Sequence, residues 1–177
     1  MKDDAELMKG VARGDDAALA ELIGRHQRGV LNFFVRCGVY TDEQEDLVQE
    51  TFLRVYRYRA RYRPSAKFTT FLYLLARQVR IDALRRRQRR EARHREADKE
   101  LPHSVVPTET ERGGVMDVMA ALARLSEEMR ETVALVVMQG MTHDEAAAVL
   151  KIPAGTVKSR LFHAMGIMRK FMESDKL

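Results

Sequence analysis

Apolar residues along this chain recur at three- and four-residue intervals, and no stretch alternates apolar with polar positions as a half-buried strand would. Leu7, Met8, Val11, Leu19, Leu22 and Ile23 keep helical spacing from residue 4 to residue 24. Gly14-Asp15-Asp16 interrupts them and supplies an acid suited to capping a second piece. Val30, Leu31, Phe33, Phe34 and Cys37 form a further stripe that Gly38 ends. A long helix opened by Thr41 or Asp42 carries Leu47, Val48, Phe52, Leu53, Val55 and Tyr56, with Pro64 as its stop. Another is expected from residue 71 to about residue 93, with Phe71, Leu74, Leu75, Val79 and Leu84 on its apolar side.

Residues 94–115 change character: two prolines, two adjacent glycines and no helical stripe. This predicts a flexible linker between a first domain, residues 1–93, and a second, residues 116–177. The second opens with Val118, Met119, Leu122 and Leu125 as its first stripe. Ser126 then reads as an N-cap, with Glu127 and Glu128 favoured by the helix dipole, for a helix stopped at Gly140. Thr142 and Glu145 have capping-box spacing before Ala146, Ala147, Val149 and Leu150. Ile152-Pro153 makes a turn after which the fixed φ of proline suits a new helix. Two short helices over such a turn are a helix-turn-helix unit.

At 100° per residue the last helix turns Val157, Leu161, Ala164, Met165, Met168 and Phe171 inward. Ser159, Phe162, His163, Gly166 and Lys170 lie opposite, with Lys158 and Arg169 at the margin. Ser, Lys and His can bond base edges or phosphates, and Phe162 can pack on a thymine methyl, so this face suits a major groove. A merely solvated polar face has the same pattern, and the stretch alone does not separate the two.

Composition narrows the class to an all-α protein of two small helical domains: 45% hydrophobic and 32% charged residues, ten glycines and four prolines. The chain has no apolar run long enough to span a membrane, its first ten residues lack signal-peptide order, and Cys37 is its one cysteine. A soluble, cytoplasmic protein with no membrane insertion is expected, with Cys37 as a small core residue rather than a reactive thiol. Net charge is +5, but residues 54–95 hold fifteen Lys/Arg against Asp82 and Glu91. Acidic flanks around a basic middle point to a polyanion for the middle and a different partner for an end. The five histidines are scattered, no H-E-x-x-H or glycine-rich phosphate loop occurs, and no zinc spacing exists. No enzyme chemistry, cofactor or metal is expected.

"GTVKSRLFHA" preceded by "EAAAVLKIP" resembles the C-terminal DNA-binding region of bacterial sigma factors. "LMKGVARGDDAALAELIGRH", "DLVQETFLRVYR" and "KFTTFLYLLARQVRIDALRRR" resemble that family's promoter-opening domain, in the same order. The absence of a middle domain resembles the extracytoplasmic-function type. The resemblance implies a sigma subunit that binds core RNA polymerase, recognises duplex −35 and single-stranded −10 promoter DNA and promotes strand opening. It also implies an anti-sigma factor as partner. Polymerase docking falls on Asp46, Leu47, Gln49, Glu50 and Phe52. Contacts to −10 DNA fall on Arg61, Arg63, Lys67, Phe68, Phe71, Tyr73, Arg77, Gln78, Arg80, Arg85 and Arg86, with Tyr62 beside them and Arg87, Arg89 and Arg90 continuing the basic run. The −35 contacts fall on Lys158, Ser159, Arg160, Phe162 and His163. Gln78 stands where Asn is more usual, Phe71 where Trp is frequent, Leu74-Leu75 where housekeeping members have a tryptophan pair, and His163 in place of a common Arg. Phe71 reads equally as core. The alternative function is a stand-alone helix-turn-helix regulator that does not depend on polymerase docking.

Overall fold

The computed structural model describes residues 2–39, 43–97 and 114–174. Most of the expected linker, and the expected helix opening at Thr41 or Asp42, lie outside the described residues. The elements in order are α1 (Asp4–Ala12), α2 (Asp16–Arg36), α3 (Gln44–Arg57), a 3-10 turn (Arg59–Arg61), α4 (Phe68–Ala97), α5 (Gly114–Ala123), α6 (Glu127–Val133), a π-helical turn (Ala134–Met138), α7 (His143–Leu150) and α8 (Ala154–Ser174). Among the described residues none forms a strand.

Local chemistry explains most boundaries. Asp3 and Glu6 form a capping box at α1, the Asp3 carboxylate accepting from the Glu6 amide at 2.7 Å. Gly14, at φ +87°, makes the turn that lets Asp15 cap α2, its carboxylate accepting from the Ala18 amide at 3.1 Å. The stripes ending at residue 24 and beginning at Val30 prove to be one helix of 21 residues. Gly29 is tolerated within it because α4 passes close: a Cβ there would meet the Tyr73 hydroxyl at 2.8 Å. Helix α3 ends at Arg57, short of Pro64, because the 3-10 turn intervenes. Helix α4 starts at Phe68, three residues earlier than expected, and continues through Ala97. The second domain's first helix begins at Gly114 rather than Met116.

Leu7, Met8, Val11, Leu22, Val30, Phe33, Phe34, Val55, Leu72 and Val79 form the centre of the first domain, every one at most 1% exposed. Each such side chain contributes about 1.5–3 kcal/mol of burial free energy. That cluster continues without a break into Leu135, Met141, Ala146, Val149 and Leu150 of the second domain. A smaller cluster, Ala121, Leu122, Leu125, Val133, Ala164 and Met168, ties α5 and α6 to α8. The two domains lie packed together through α4 and α7, an arrangement the linker between them left open.

No helix among the described residues is long and apolar enough to cross a membrane. The same residues hold no group of His, Cys, Asp and Glu that could bind a metal ion.

Candidate nucleic-acid and polymerase interfaces

The helix-turn-helix forms as its capping residues dictate. Thr142 Oγ1 accepts from the Glu145 amide at 3.2 Å, and Glu145 accepts from the Thr142 amide at 2.8 Å. Lys67 Nζ lies 2.8 Å from the same carboxylate. Lys67, then the Thr142 amide, hold the Glu145 carboxyl below the usual carboxylate range. Helix α7 ends at Lys151 in the left-handed region, φ 57°, and the Pro153 carbonyl accepts from the amides of Thr156 and Val157 to start α8. Pro153 thus precedes the first helical residue.

Helix α8 buries Val157, Ala164 and Met168, with Leu161 and Phe171 partly covered. Met165 does not join them: it is 41% exposed, so the apolar stripe is narrower than its projection suggested. On the outer face Lys158, Ser159, Phe162 and His163 stand in solvent, Phe162 at 78% exposure. The Phe162 and His163 rings meet nearly edge to face at 5.8 Å. Ser159 Oγ donates to the Thr156 carbonyl at 3.1 Å, which fixes the hydroxyl while leaving its lone pairs outward. Arg160 is half-buried, between the two faces.

The expected −10 residues divide into three groups. Arg61, Arg63 and Lys67 stand exposed on the loop before α4, and Arg85 and Arg86 on the outer part of α4. Arg77 and Gln78 are half-buried and, with Arg54, Arg57 and Arg85 of the first domain and Lys151 of the second, line an interdomain cleft of about 470 Å³. The third group is internal. Phe68 is 3% exposed, packed between the Tyr62 ring at 6.3 Å and the His26 ring at 5.2 Å. Tyr73 is equally buried against Phe33 at 5.5 Å. Burial pushes its phenol well above the ordinary tyrosine range, so its O–H remains to donate to Gln139 Oε1 at 2.5 Å. Phe71, half-buried on Tyr62 at 5.6 Å, is partly core. Phe68 and Tyr73 are thus packing residues, a correction to their expected place at the DNA surface.

Arg80 departs furthest from expectation. It is 2% exposed and is held by Glu131, itself 2% exposed, and by Glu127 at 2.9 Å. Burial pulls its pKa down, but Glu131 outweighs burial with help from Glu127, so it is a full cation. Arg77 Nε adds a 3.1 Å contact to the other Glu131 oxygen. Arg80 Nε is buried with no hydrogen-bond partner among the described residues.

On α3, Asp46 and Gln49 are exposed, and Glu50 is half-buried in a 2.8 Å pair with Arg54 Nε. Leu47 and Phe52 are 4% and 5% exposed and belong to the core, a correction to their expected place at the docking surface. Leu53, 58% exposed, and Tyr56, 37% exposed, stand on the outer face instead, seven and ten residues after Asp46. The pattern of α3 alone did not separate Phe52 from Leu53, because two adjacent apolar residues straddle the edge of the buried stripe. The sequence did not single out Glu127, Glu131 and Gln139, which contact the first domain. As acids in a first turn, Glu127 and Glu128 were already accounted for by the helix dipole.

A helix-turn-helix with an outward polar face, packed beside an arginine-rich helical domain, is the architecture of a DNA-binding protein. Two family profiles match in tandem, Sigma-70 region 2 over residues 22–90 and Sigma-70 region 4 over residues 116–168. The chain is 30% identical to the ECF RNA polymerase sigma-E factor of Escherichia coli strain K12, across 91% of this chain and 90% of that protein. It is also 30% identical to RNA polymerase sigma factor CarQ of Myxococcus xanthus, across 90% and 91% of the two chains. RNA polymerase sigma-H factor of Pseudomonas aeruginosa is 29% identical, across 97% and 95%. The fold matches CnrH in complex with the cytosolic domain of CnrY, with a TM-score of 0.74 at 23% identity over 97% of this chain and 98% of that one. It also matches RpoE in complex with the anti-sigma factor NepR from Bartonella quintana, with a TM-score of 0.72 at 22% identity over 88% and 97%. The chain belongs to the RNA polymerase sigma factors of the extracytoplasmic-function type. Its function is that of a sigma subunit in promoter recognition and transcription initiation; sigma factors are not enzymes.

Proposed function

We propose a residue-level division of that work, with residues 1–93 serving polymerase docking and the −10 element and residues 116–177 the −35 element. The observation that carries it is the outward face of α8, where Phe162 projects at 78% exposure beside Lys158, Ser159 and His163 while Val157, Ala164 and Met168 are buried on the opposite side. A ring left in water is unfavourable in a monomer and becomes favourable once a thymine methyl covers it. Lys158 supplies a phosphate contact and Ser159 and His163 supply base-edge contacts. Arg160, half-buried, reaches backbone phosphate only.

On the first domain, Asp46, Gln49 and Leu53 form the face that docks on the polymerase. Acidic and amide groups around one exposed leucine suit a basic helical surface with an apolar seam. Arg61, Arg63 and Lys67 at one end of α4, and Arg85, Arg86, Arg87, Arg89 and Arg90 at the other, are exposed cations placed to follow a single strand's phosphates. Gln78 faces the cleft as the amide for an unstacked base. A cytoplasmic location follows from the work, and an anti-sigma factor is the expected partner, as NepR is for the structurally similar RpoE of Bartonella quintana.

Selection of promoters from a randomised library by purified holoenzyme tests the division. Ser159→Ala should alter preference only within the −35 block, and Gln78→Ala only within the −10 block. A Ser159→Ala change that altered −10 preference alone would refute the placement.

A further inference from the structure

The contacts between the domains converge on Lys67, Arg77 and Arg80, three of the cations expected at the −10 strand. Glu127 and Glu131, one helical turn apart on α6, present their carboxylates to Arg77 and Arg80. Two anions spaced along a helix face and held against guanidinium groups offer the same chemistry as successive phosphates of a single strand. Gln139 ties the far side of the interface, accepting from the Tyr73 hydroxyl at 2.5 Å and donating to the Gly29 carbonyl at 3.4 Å. Lys67, on the loop before α4, is held at 2.8 Å by Glu145. Three cations that the strand would need are thereby occupied by the second domain.

We infer that the packed arrangement is a self-masked state, in which Glu127 and Glu131 of α6 substitute for DNA phosphates on Arg77 and Arg80 until the domains separate. The inference rests on the proposed −10 role of the cations along α4, which it extends to these two arginines. Two features make the arrangement reversible. The buried Arg80 Nε lacks a hydrogen-bond partner among the described residues, so the ion pair does not recover the full cost of dehydrating its charges. Glu127 is 58% exposed at its side chain, so one of the carboxylates already competes with water. The apolar contact of Leu135, Val149 and Leu150 with the first domain sets the opposing preference for closure.

Closure reduces apparent affinity for a strand in proportion to the fraction of molecules that are open, so a population about nine-tenths closed weakens binding about tenfold. The test uses the full chain and a fluorescein-labelled single-stranded oligodeoxynucleotide of mixed sequence. Spin labels at Ala20→Cys and Glu173→Cys, both exposed, report the distance between domains. The native Cys37 is buried, and its thiol is pushed up to about 12 by burial, so it does not take a label in the folded chain. Glu127→Gln with Glu131→Gln should broaden the distance distribution and tighten oligonucleotide binding several-fold. Gln139→Ala, which removes no charge, should do the same to a smaller extent, and it serves as the test if the double variant misfolds. Unchanged distances in both variants overturn the inference. Broadened distances with unchanged affinity leave the closed packing in place but overturn masking, and they locate the failure in the assignment of Arg77 and Arg80 to the strand.

Discussion

Phe162→Ala separates recognition from stability, because its ring stands almost wholly outside the packed core. At 78% exposure the ring contributes almost nothing to the folded core. A phenylalanine side chain offers roughly 150–250 Å², so well over 100 Å² of this one faces solvent. If a groove covers about half of that area, burial at about 25 cal/mol per Å² gives roughly 1.5–2 kcal/mol, within the usual range of about 1–3 kcal/mol for one base discrimination. The expected result is a loss of about 10- to 30-fold in relative use of the preferred −35 base pair, read from competition between promoters in a transcription assay with reconstituted holoenzyme. Thermal stability should stay within about 0.5 kcal/mol of the parent. Val157→Ala is the matched control: fully buried on the same helix, it should cost about 1–3 kcal/mol and lower Tm by several degrees. An unchanged −35 profile for Phe162→Ala, or a stability loss as large as that of Val157→Ala, would refute the claim that this ring faces DNA.

Asp46→Lys should weaken assembly with core polymerase by an order of magnitude or more while leaving the melting curve unmoved, since Asp46 is exposed and Leu47 and Phe52 carry the packing; a titration of holoenzyme formation reads it. Leu53→Ala should do likewise, and Phe52→Ala should instead destabilise the fold by about 3–5 kcal/mol in denaturant unfolding. Glu145 has a folded pKa below its ordinary value, so its stabilising contribution is present above the unfolded pKa and fades as pH falls through the folded one. The acid loss of stability should therefore be smaller in Glu145→Gln than in the parent. Cys37, with its pKa raised, should resist alkylation at neutral pH at a rate set by unfolding, and react freely in denaturant.

Helix identities, the caps at Asp15, Ser126 and Thr142, and the outward face of α8 were legible in the sequence because each follows from contacts within one turn or from periodicity. What stayed hidden depends on partners distant in sequence. Arg80 reads as one cation among many until Glu131, 51 residues later, is seen to bury it. Tyr73 and Phe68 have the composition of a base-stacking surface, yet Phe33 and His26 claim their rings. Gly29 would ordinarily interrupt a helix, and only the proximity of Tyr73 explains its place within α2. Met165 faced inward on an ideal wheel, but the narrow contact of α8 with α5 and α6 leaves it at the rim.

Permanganate probing of unpaired thymines at a promoter selected by the holoenzyme tests the central claim most directly. With core polymerase and this chain together, reactivity should appear across the −10 region and depend on an intact −35 block. Either component alone should leave the duplex closed. Thymines that stay unreactive with both present, while the chain alone protects the same duplex, would contradict a sigma subunit and return the chain to the class of stand-alone regulators.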